Sequence, residues 1–328
     1  MIPLHMLTGF LGSGKTTLLN RILRDPAWAD SAVLINEIGA VSIDHHLVDR
    51  IESGDELDVV VLKGGCTCCA LRGDLVAGLR ELYRRRAEGL VPPFGRVVLE
   101  TTGLADPAPV LFTLAADPAL RHKFARGVVV ATFDAMHGLA QLARHPEARK
   151  QIAVADRIVL TKTDLEGADT RALCAAVRRI NPAAAVLDTQ DAATPAGLLE
   201  PGVALSTGFH AEARPDHSED IASVAILLDR PLAWAPFSVW LSLLLHAHGE
   251  KMLRHKALLD VAGWTGPVAL DAIHHLVYPP RHLDSWPAGP RRSRLVFIAQ
   301  GLRVERIEPS LRAFLAGEYA WQELSAVQ

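Results

Sequence analysis

The chain has 328 residues, a hydrophobic fraction of 49% and a formal net charge of −3. This length exceeds what one hydrophobic core usually serves, so we expect two domains. The nearly balanced charge argues against nucleic acid as a partner, and the apolar run 239–245 is far shorter than the roughly 20 residues that span a membrane. The first apolar run begins so close to Met1 that no signal peptide fits before it, which leads us to expect a cytoplasmic protein.

Residues 9–16, with the sequence Gly-Phe-Leu-Gly-Ser-Gly-Lys-Thr, fit the pattern G-x-x-x-x-G-K-S/T and directly follow the apolar run 4–7. This pattern is typical of a phosphate-binding loop between a strand and a helix, because its glycines let backbone N–H groups surround the phosphates of a nucleotide. We expect Lys15 to reach the β- and γ-phosphates and the Thr16 hydroxyl to coordinate Mg²⁺, both as catalytic groups. The predicted nucleotide contacts of this stretch are Gly9, Gly12, Ser13, Gly14, Lys15, Thr16 and Thr17.

Apolar runs alternate with helical patterns along the N-terminal half of the chain. The runs cover residues 32–35, 57–62, 96–99, 127–132 and 157–160, and the helical patterns include residues 73–88 and 170–180. Continuous apolar strands that alternate with helices predict an α/β fold, with a mostly parallel sheet covered on both faces. Ligands of such sheets bind at the carboxyl ends of the strands, so motifs that directly follow these runs are candidate ligand sites.

Three cysteines, Cys66, Cys68 and Cys69, lie within four positions on a glycine-rich stretch after the run 57–62. Thiols in C-x-C-C spacing can converge on one soft cation, for which Zn²⁺ is the default. We predict Glu37 as a candidate fourth ligand, with an ordinary role in a switch region as the alternative. A buried cysteine cluster and a redox pair are the alternatives for the thiols, whereas Cys174 stands alone in a helical pattern.

The run 96–99 is followed by Glu100 and, after two threonines, by Gly103. In phosphate-loop nucleotidases an acid at such a strand end holds Mg²⁺, and a glycine N–H meets the γ-phosphate. We therefore predict Glu100 as a catalytic group and Gly103 as a nucleotide contact, with a merely solvated glutamate as the alternative. Residues 104–107 then begin a segment that we expect to respond to the nucleotide.

The run 157–160 leads into Thr161, Lys162 and Asp164, which resemble the guanine-binding N-K-x-D element with threonine in place of asparagine. The Asp164 carboxylate can accept two hydrogen bonds from the N1–H and 2-amino groups of guanine, while the Lys162 stem covers the base. Adenine has no such pair of donors, so the sequence predicts GTP rather than ATP. Thr189 is a further candidate contact to the guanine ring.

Residues 206–220 are polar and rich in turn-forming residues, which divides the chain into a phosphate-loop domain at 1–205, a linker at 206–221 and a C-terminal domain at 222–328. The C-terminal domain is predicted to be α+β with a mostly antiparallel sheet. We expect the adjacent His274 and His275 to point to opposite faces of one strand, so that they do not form a chelate. The predicted strands are 223–228, 256–261, 269–277 and 293–298, and the predicted helices are 236–246 and 309–315.

Taken together, these motifs resemble the CobW-type metallochaperone GTPases, which are relatives of the urease and hydrogenase nickel-insertion GTPases. The resemblance rests on residues 9–16, 36–39, 65–69, 100–107 and 161–164. Stretches of the C-terminal domain are also similar to that family's second domain, at residues 254–257, 282–287 and 292–298. The resemblance therefore extends over nearly the whole chain.

The resemblance implies a GTPase that binds Zn²⁺ or Co²⁺ through the C-x-C-C thiols and delivers the metal to a client metalloprotein when GTP is hydrolysed to GDP. It also makes a homodimer an expectation. Three alternatives remain open. They are a zinc-responsive regulatory GTPase that never hands over metal, a small-molecule kinase with a phosphate-binding loop, and a chaperone GTPase of cobalamin enzymes that does not need the thiols.

Overall fold

The structure is a computed structural model of the chain, and it describes residues 1–38, 59–64, 68–190, 195–199, 221–287 and 289–317. The side chains of residues 36–38, 59–64, 68–72, 74, 195 and 196 lie outside this description. The chain divides into two compact units, one of Met1–Thr170 with Val186–Gly202 and one of Arg171–Ala185 with Val203–Gln328.

The first unit is built on a seven-stranded sheet in the order β3-β2-β4-β1-β5-β6-β7. Every recorded pairing among β1 to β6 is parallel, as the long apolar runs predict. The strands are β1 (Ile2–Gly9), β2 (Ser31–Ile38), β3 (Val59–Gly64), β4 (Arg96–Glu100), β5 (Phe124–Asp134), β6 (Arg157–Thr161) and β7 (Ala185–Asp188). The order matters for function because it places β4 and β5 on either side of β1, from which the phosphate loop emerges.

Helices connect these parallel strands, and their apolar side chains pack on the sheet. Leu18, Leu19 and Ile22 of the first helix are buried in one cluster with strand residues such as Leu7 and Val98. The helices are α1 (Lys15–Leu23), α2 (Cys68–Ala87), α3 (Ala108–Ala116), α4 (Gly138–Arg144) and α5 (Pro146–Val154), with short 3-10 turns at Pro26–Trp28 and Pro195–Leu199. Helix α6 (Thr170–Ile180) falls almost wholly within the second unit.

The second unit contains a mainly antiparallel sheet in the order β11-β10-β9-β13-β8, with β12 paired to β10. One face of this sheet packs against two helices around the buried aromatic residues Phe237, Trp240 and Phe297. The elements are β8 (Ile221–Leu228), α7 (Trp234–His248), β9 (Met252–Leu259), β10 (Val268–Ile273), β11 (Leu276–Val277), β12 (Arg281–His282), β13 (Ser293–Gln300) and α8 (Ile307–Leu315). The predicted α/β and α+β architectures are therefore confirmed.

The predicted single strand over 269–277 is wrong. The structure has a hairpin there, in which β10 ends at Ile273, His274 and His275 form the turn, and β11 begins at Leu276. His274 has a φ of 53°, a left-handed conformation that interrupts a strand. The predicted linker 206–221 lies outside the described residues except for Ile221, with which β8 begins, so the proposed domain boundaries stay a prediction. No helix of the described residues is long and apolar enough to cross a membrane.

Candidate functional site

The glycine-rich loop joins β1 to α1, as predicted, and the structure places β1 at the middle of the sheet. Its glycines at 9, 12 and 14 have φ values of 138°, 70° and 88°, all in the region that favours glycine. A Cβ at Gly9 would also lie 2.3 Å from the Thr132 hydroxyl oxygen and 2.5 Å from its carbonyl oxygen. The loop can therefore adopt this tight curve against β5 only with glycine at this position.

Buried hydroxyl groups of Ser13 and Thr132 stabilise the conformation of the loop. The Ser13 hydroxyl donates to the Phe10 carbonyl at 2.7 Å and lies 2.6 Å from the Thr132 hydroxyl. The Ser13 backbone N–H also donates to Phe10, at 3.2 Å. Both groups of Ser13 thus shape the loop, and a direct nucleotide contact by Ser13 stays a prediction.

Lys15 is a buried ammonium folded over the loop. Its Nζ donates to the carbonyl oxygens of Gly9 and Phe10, each at 3.0 Å. A phosphate oxygen is a stronger acceptor than a peptide carbonyl, because it is charged. The ammonium is therefore placed to exchange these bonds for bonds to the phosphates of a nucleotide.

Thr16 and Glu100 come together from different elements at the start of α1 and the end of β4. The Thr16 hydroxyl donates to Glu100 Oε1 at 2.7 Å, and Glu100 is 5% exposed. The β1–β4 pairing produces this contact by placing Glu100 beside Leu7, just before the loop. A hydroxyl and a carboxylate are hard oxygen donors of the kind that Mg²⁺ prefers, so this pair fits the predicted magnesium role. Thr17, the next residue of α1, is exposed.

Gly103, in the segment after β4, packs against Leu11 of the phosphate loop. A Cβ there would lie 2.6 Å from the backbone nitrogen of Leu11 and 2.8 Å from its Cα, so that only glycine fits without displacing the loop. The backbone around Gly103 is in turn held by a side chain of α5, since Gln151 Nε2 donates to the Gly103 and Ala105 carbonyls at 3.0 and 3.1 Å. The segment after β4 is therefore fixed against both the loop and a helix.

Thr161 connects the predicted base-binding element to the phosphate loop. Its hydroxyl donates to the Ser13 carbonyl at 2.9 Å, and its Cγ2 would lie 3.5 Å from a Cβ at Gly14. Threonine at this position thus supports the loop through a side-chain hydrogen bond, although the sequence pattern expects asparagine.

Lys162 has an unusual backbone conformation, and its ammonium is bound by an acid that belongs to none of the sequence motifs. Lys162 has a φ of 60°, and its Nζ donates to Asp134 Oδ2 at 2.6 Å. Asp134 ends β5, and its other oxygen accepts from the backbone N–H groups of Met136 and His137. Burial raises the pKa of Asp134, but the Lys162 bond and the two N–H groups outweigh burial and keep its pKa below the ordinary value. Asp134 therefore stays charged and anchors Lys162.

Asp164 and Thr189 belong to neighbouring loops that are bonded to each other. The Asp164 side chain is exposed, and next to it the Thr163 hydroxyl donates to Asp188 Oδ1 at 2.6 Å. Thr189 donates its N–H to the Leu160 carbonyl at 3.0 Å, which ties the second loop to the end of β6. The two predicted base contacts thus lie on connected loops at the carboxyl ends of β6 and β7.

The predicted metal ligands lie partly outside the described residues. Cys66 is outside them, as are the side chains of Glu37, Cys68 and Cys69. The backbone shows that α2 begins at Cys68, shortly after β3 ends, and that Glu37 pairs with Lys63 at the same end of β2 and β3. Among the residues that the structure does describe, no group of three or more His, Cys, Asp or Glu side chains could hold a metal ion.

Sequence reasoning missed the residues that support the site from a distance. Asp134 and Asp188 carry a weak signal, because each is an acid at the end of an apolar run. Thr132 and Gln151 carry none, since nothing in the sequence near them indicates which loop they contact. With these supports, the carboxyl ends of β1, β4, β5 and β6 form a surface suited to phosphates on one side and a purine base on the other.

Comparisons with known families and proteins agree with this geometry. The family model described as "CobW/HypB/UreG, nucleotide-binding domain" matches residues 3–188. The model described as "Cobalamin synthesis protein cobW C-terminal domain" matches residues 221–315. The two matches correspond to the parallel-sheet region and the antiparallel-sheet region.

Individual relatives cover almost the whole chain. The chain is 33% identical to the zinc chaperone YjiA of Escherichia coli over 96% of this chain and 98% of that protein. It is 28% identical to the zinc chaperone CobW of Pseudomonas aeruginosa over 96% of this chain and 92% of that protein. The crystal structure of Zn(II)-bound YjiA GTPase from E. coli superposes with a TM-score of 0.68 at 26% identity, covering 97% of this chain and 99% of that one.

Proposed function

This chain belongs to the CobW/HypB/UreG family, and from that membership we propose that it is a GTP-dependent metallochaperone. It binds Zn²⁺, or Co²⁺, through Cys66, Cys68 and Cys69, hydrolyses GTP and delivers the metal to a client metalloprotein. Two relatives that match nearly the full chain are named zinc chaperones, and a further relative is named a zinc-regulated GTPase metalloprotein activator. The names of these relatives support GTP as the nucleotide and zinc as the metal in this proposal.

The arrangement around the loop supports GTP hydrolysis. Lys15 donates hydrogen bonds where the β- and γ-phosphates bind, and its charge stabilises the charge that develops on them during transfer to water. Thr16 and Glu100 would hold Mg²⁺, which when bound supplies positive charge to the same phosphates. The exposed Asp164 accepts from guanine, and Lys162, anchored by Asp134, covers the base. Selection of GTP over ATP follows from the Asp164 carboxylate, because adenine lacks the pair of donors that guanine offers to it.

The observation that carries the metal part of the proposal is the register of the neighbouring strands. Ile35 of β2 pairs with Glu100 of β4, while Glu37 of β2 pairs with Lys63 of β3, directly before the thiol loop. The strand ends that lead to the thiols, to Glu37 and to the magnesium pair are thus adjacent in one sheet. A shift of one of them on GTP hydrolysis can therefore alter the others, which gives a route by which nucleotide state sets metal affinity.

We propose that Glu37 supplies the fourth ligand and that the thiols bind the metal more tightly in the GTP form than in the GDP form. Each thiol binds as thiolate, so metal binding releases protons and weakens as pH falls. Hydrolysis would lower the affinity and release the metal to the client. By linkage, bound metal must raise the affinity for GTP over GDP by the same factor.

An anaerobic competition titration of Zn²⁺ and Co²⁺ tests the proposal. The protein is titrated in Mg²⁺ with a non-hydrolysable GTP analogue or with GDP, alongside a variant in which Cys66, Cys68 and Cys69 are changed to serine. Cys174→Ser is the matched control, because that cysteine lies on α6 and is not part of the C-x-C-C motif. We expect tight binding that needs the three thiols and the GTP form and that the control variant retains.

Equal metal affinity in the two nucleotide states would contradict the gating mechanism. Binding that survives loss of the three thiols would contradict the assignment of the ligands. Light scattering on the same samples reports whether the GTP form is a homodimer, as the family resemblance implies. Transfer of the bound metal to an apo-metalloprotein, followed by its gain of activity, separates delivery from regulation without delivery.

A further inference from the structure

Helix α5 makes contacts with the nucleotide site that the proposed function does not require. Gln151 of α5 is 1% exposed, and its Nε2 donates to the carbonyl oxygens of Gly103 and Ala105 at 3.0 and 3.1 Å. These carbonyls belong to the segment that directly follows β4 and the magnesium pair. One amide group thus holds two points of the backbone that faces the phosphate loop.

The residue before Gln151 holds the same segment a little further on. Lys150 forms an ion pair with Asp106 Oδ2 at 2.9 Å, and Asp106 Oδ1 accepts from the Ala108 N–H at 3.0 Å. The Lys150 and Asp106 side chains are 28% and 25% exposed, so this pair is partly screened by water. Two successive residues of α5 therefore fix the backbone from Gly103 to Asp106.

The same helix also reaches the phosphate loop. His145, which directly precedes α5, places its ring 4.5 Å from the Phe10 ring, at an angle of 33°. Phe10 is the residue whose carbonyl accepts from Lys15 and Ser13. Helix α5 is thus in contact with both of the segments that face the phosphates.

Gln151 is only half satisfied in this arrangement. Its Oε1 is buried and has no hydrogen-bond partner among the described residues. A buried acceptor without a partner is costly, so a second arrangement of the segment that offered an N–H to Oε1 would be favoured by this side chain. A segment that moves with the nucleotide needs two such arrangements of similar free energy.

We propose that helix α5, through Gln151 and Lys150, is the positioning element that sets where the Gly103 backbone lies relative to the phosphate loop. It thereby sets the preference of the protein for GTP over GDP. The physical reason is the close approach of Gly103 to the phosphate loop. A Cβ at Gly103 would lie only 2.6 Å from the backbone nitrogen of Leu11. A small displacement of the segment therefore decides whether the Gly103 N–H can meet a γ-phosphate. This inference rests on the proposed GTP binding.

The test is the ratio of dissociation constants for a non-hydrolysable GTP analogue and for GDP, measured by fluorescent-nucleotide competition. Gln151→Glu keeps the shape but loses the two N–H donors when ionised, and Gln151→Leu removes the polar group. Gln141→Glu on α4 is the matched control, because its Oε1 is also buried without a partner among the described residues. We expect both Gln151 variants to change the ratio about tenfold, a typical coupling between sites, while the control leaves it unchanged.

Lys150→Met keeps the proposal testable if the Gln151 variants do not fold, because its side chain is partly exposed. We expect it to change the ratio in the same direction by a smaller factor. If the wild-type protein binds neither nucleotide, the proposed function itself fails. If it binds both, and the folded α5 variants lower the melting temperature but leave the ratio at its wild-type value, helix α5 is only structural and this inference is overturned.

Discussion

His255 in the second unit is a buried side chain whose protonation we expect to destabilise that unit in mild acid. It is 0% exposed, and its ring stacks on Phe297 with 4.1 Å between centroids and 15° between planes. Its Nδ1 lies 3.2 Å from the Val296 carbonyl, and its Nε2 has no partner among the described residues. Burial lowers the pKa of His255 from 6.5 to about 4, in spite of the raising effects of the Val296 carbonyl and the Asp271 carboxylate.

The sign of the effect follows from the two protonation states. Because the pKa is lower in the folded state than in the unfolded chain, the unfolded chain takes up a proton first as the pH falls. The contribution of the neutral ring to stability is therefore complete above the unfolded value of 6.5 and is lost towards the folded value of about 4. With these values the free energy of unfolding falls by about 2 kcal/mol between pH 7.5 and 5, and by about 3 kcal/mol once the pH is below the folded value.

Urea unfolding followed by tryptophan fluorescence measures this loss. Trp234, Trp240, Trp264 and Trp286 all belong to the second unit, so they report on the region around His255. Wild type is compared with His255→Leu, which cannot titrate at this position, at a series of pH values. The cost of repacking cancels, because the pH dependence of each protein is compared with its own stability at pH 7.5. His246→Gln, at an exposed position of α7, is the matched control.

We expect the wild type and the His246→Gln variant to lose about 2 kcal/mol more than His255→Leu between pH 7.5 and 5. Subtracting the variant's curve also removes the effect of other buried groups. This matters because burial lowers the pKa of His5 in the first unit to about 4, with further lowering effects of Arg96 and Arg157. Parallel curves for wild type and His255→Leu would refute the reasoning, since they would show that this ring takes up its proton equally in both states.

Two further predictions concern the nucleotide site. Gly103→Ala places a Cβ 2.6 Å from the Leu11 nitrogen. Overpacking of about 1–3 kcal/mol should lower the affinity for the GTP analogue by roughly 5- to 150-fold, while the affinity for GDP changes little. Equal loss of affinity for both nucleotides in fluorescence titrations would contradict a role of Gly103 at the γ-phosphate. Thr161→Val removes the hydrogen bond to the Ser13 carbonyl and should weaken the binding of GTP and of GDP equally, by about 1 kcal/mol. Unchanged affinities measured in the same way would show that this bond does not support the loop.

The phosphate loop and the two sheets could be predicted from the sequence because each depends on residues that are close together in the chain. The loop needs glycine at positions with left-handed φ, such as Gly12 and Gly14, and a lysine directly after them. The parallel sheet needs strands buried on both sides, and continuous apolar runs indicate such strands. The run 269–277 shows the limit of this reasoning. Its apolar residues before and after the histidine pair gave no indication of the hairpin turn between β10 and β11.

The supports of the site depend instead on the order of the strands. Asp134 meets Lys162 because β5 lies beside β6, and Glu100 meets Thr16 because β4 lies beside β1. Residue spacing along the chain does not specify which strands become neighbours. Glu100 was predictable because phosphate-loop nucleotidases place an acid at such a strand end, whereas no comparable pattern assigned a role to Asp134.

The sequence by itself determined which stretches are candidates for the chemistry: the phosphate-binding loop, the predicted base-binding element and the C-x-C-C thiols are each contiguous. Only the tertiary structure decided how that chemistry is held. Gln151 is an unremarkable polar residue in the sequence, yet the packing of α5 places its amide on two carbonyls after β4. The physical reason is that a side-chain hydrogen bond requires two groups to meet in space, and only the packing of helices on an ordered sheet brings together groups that are 46 and 48 positions apart.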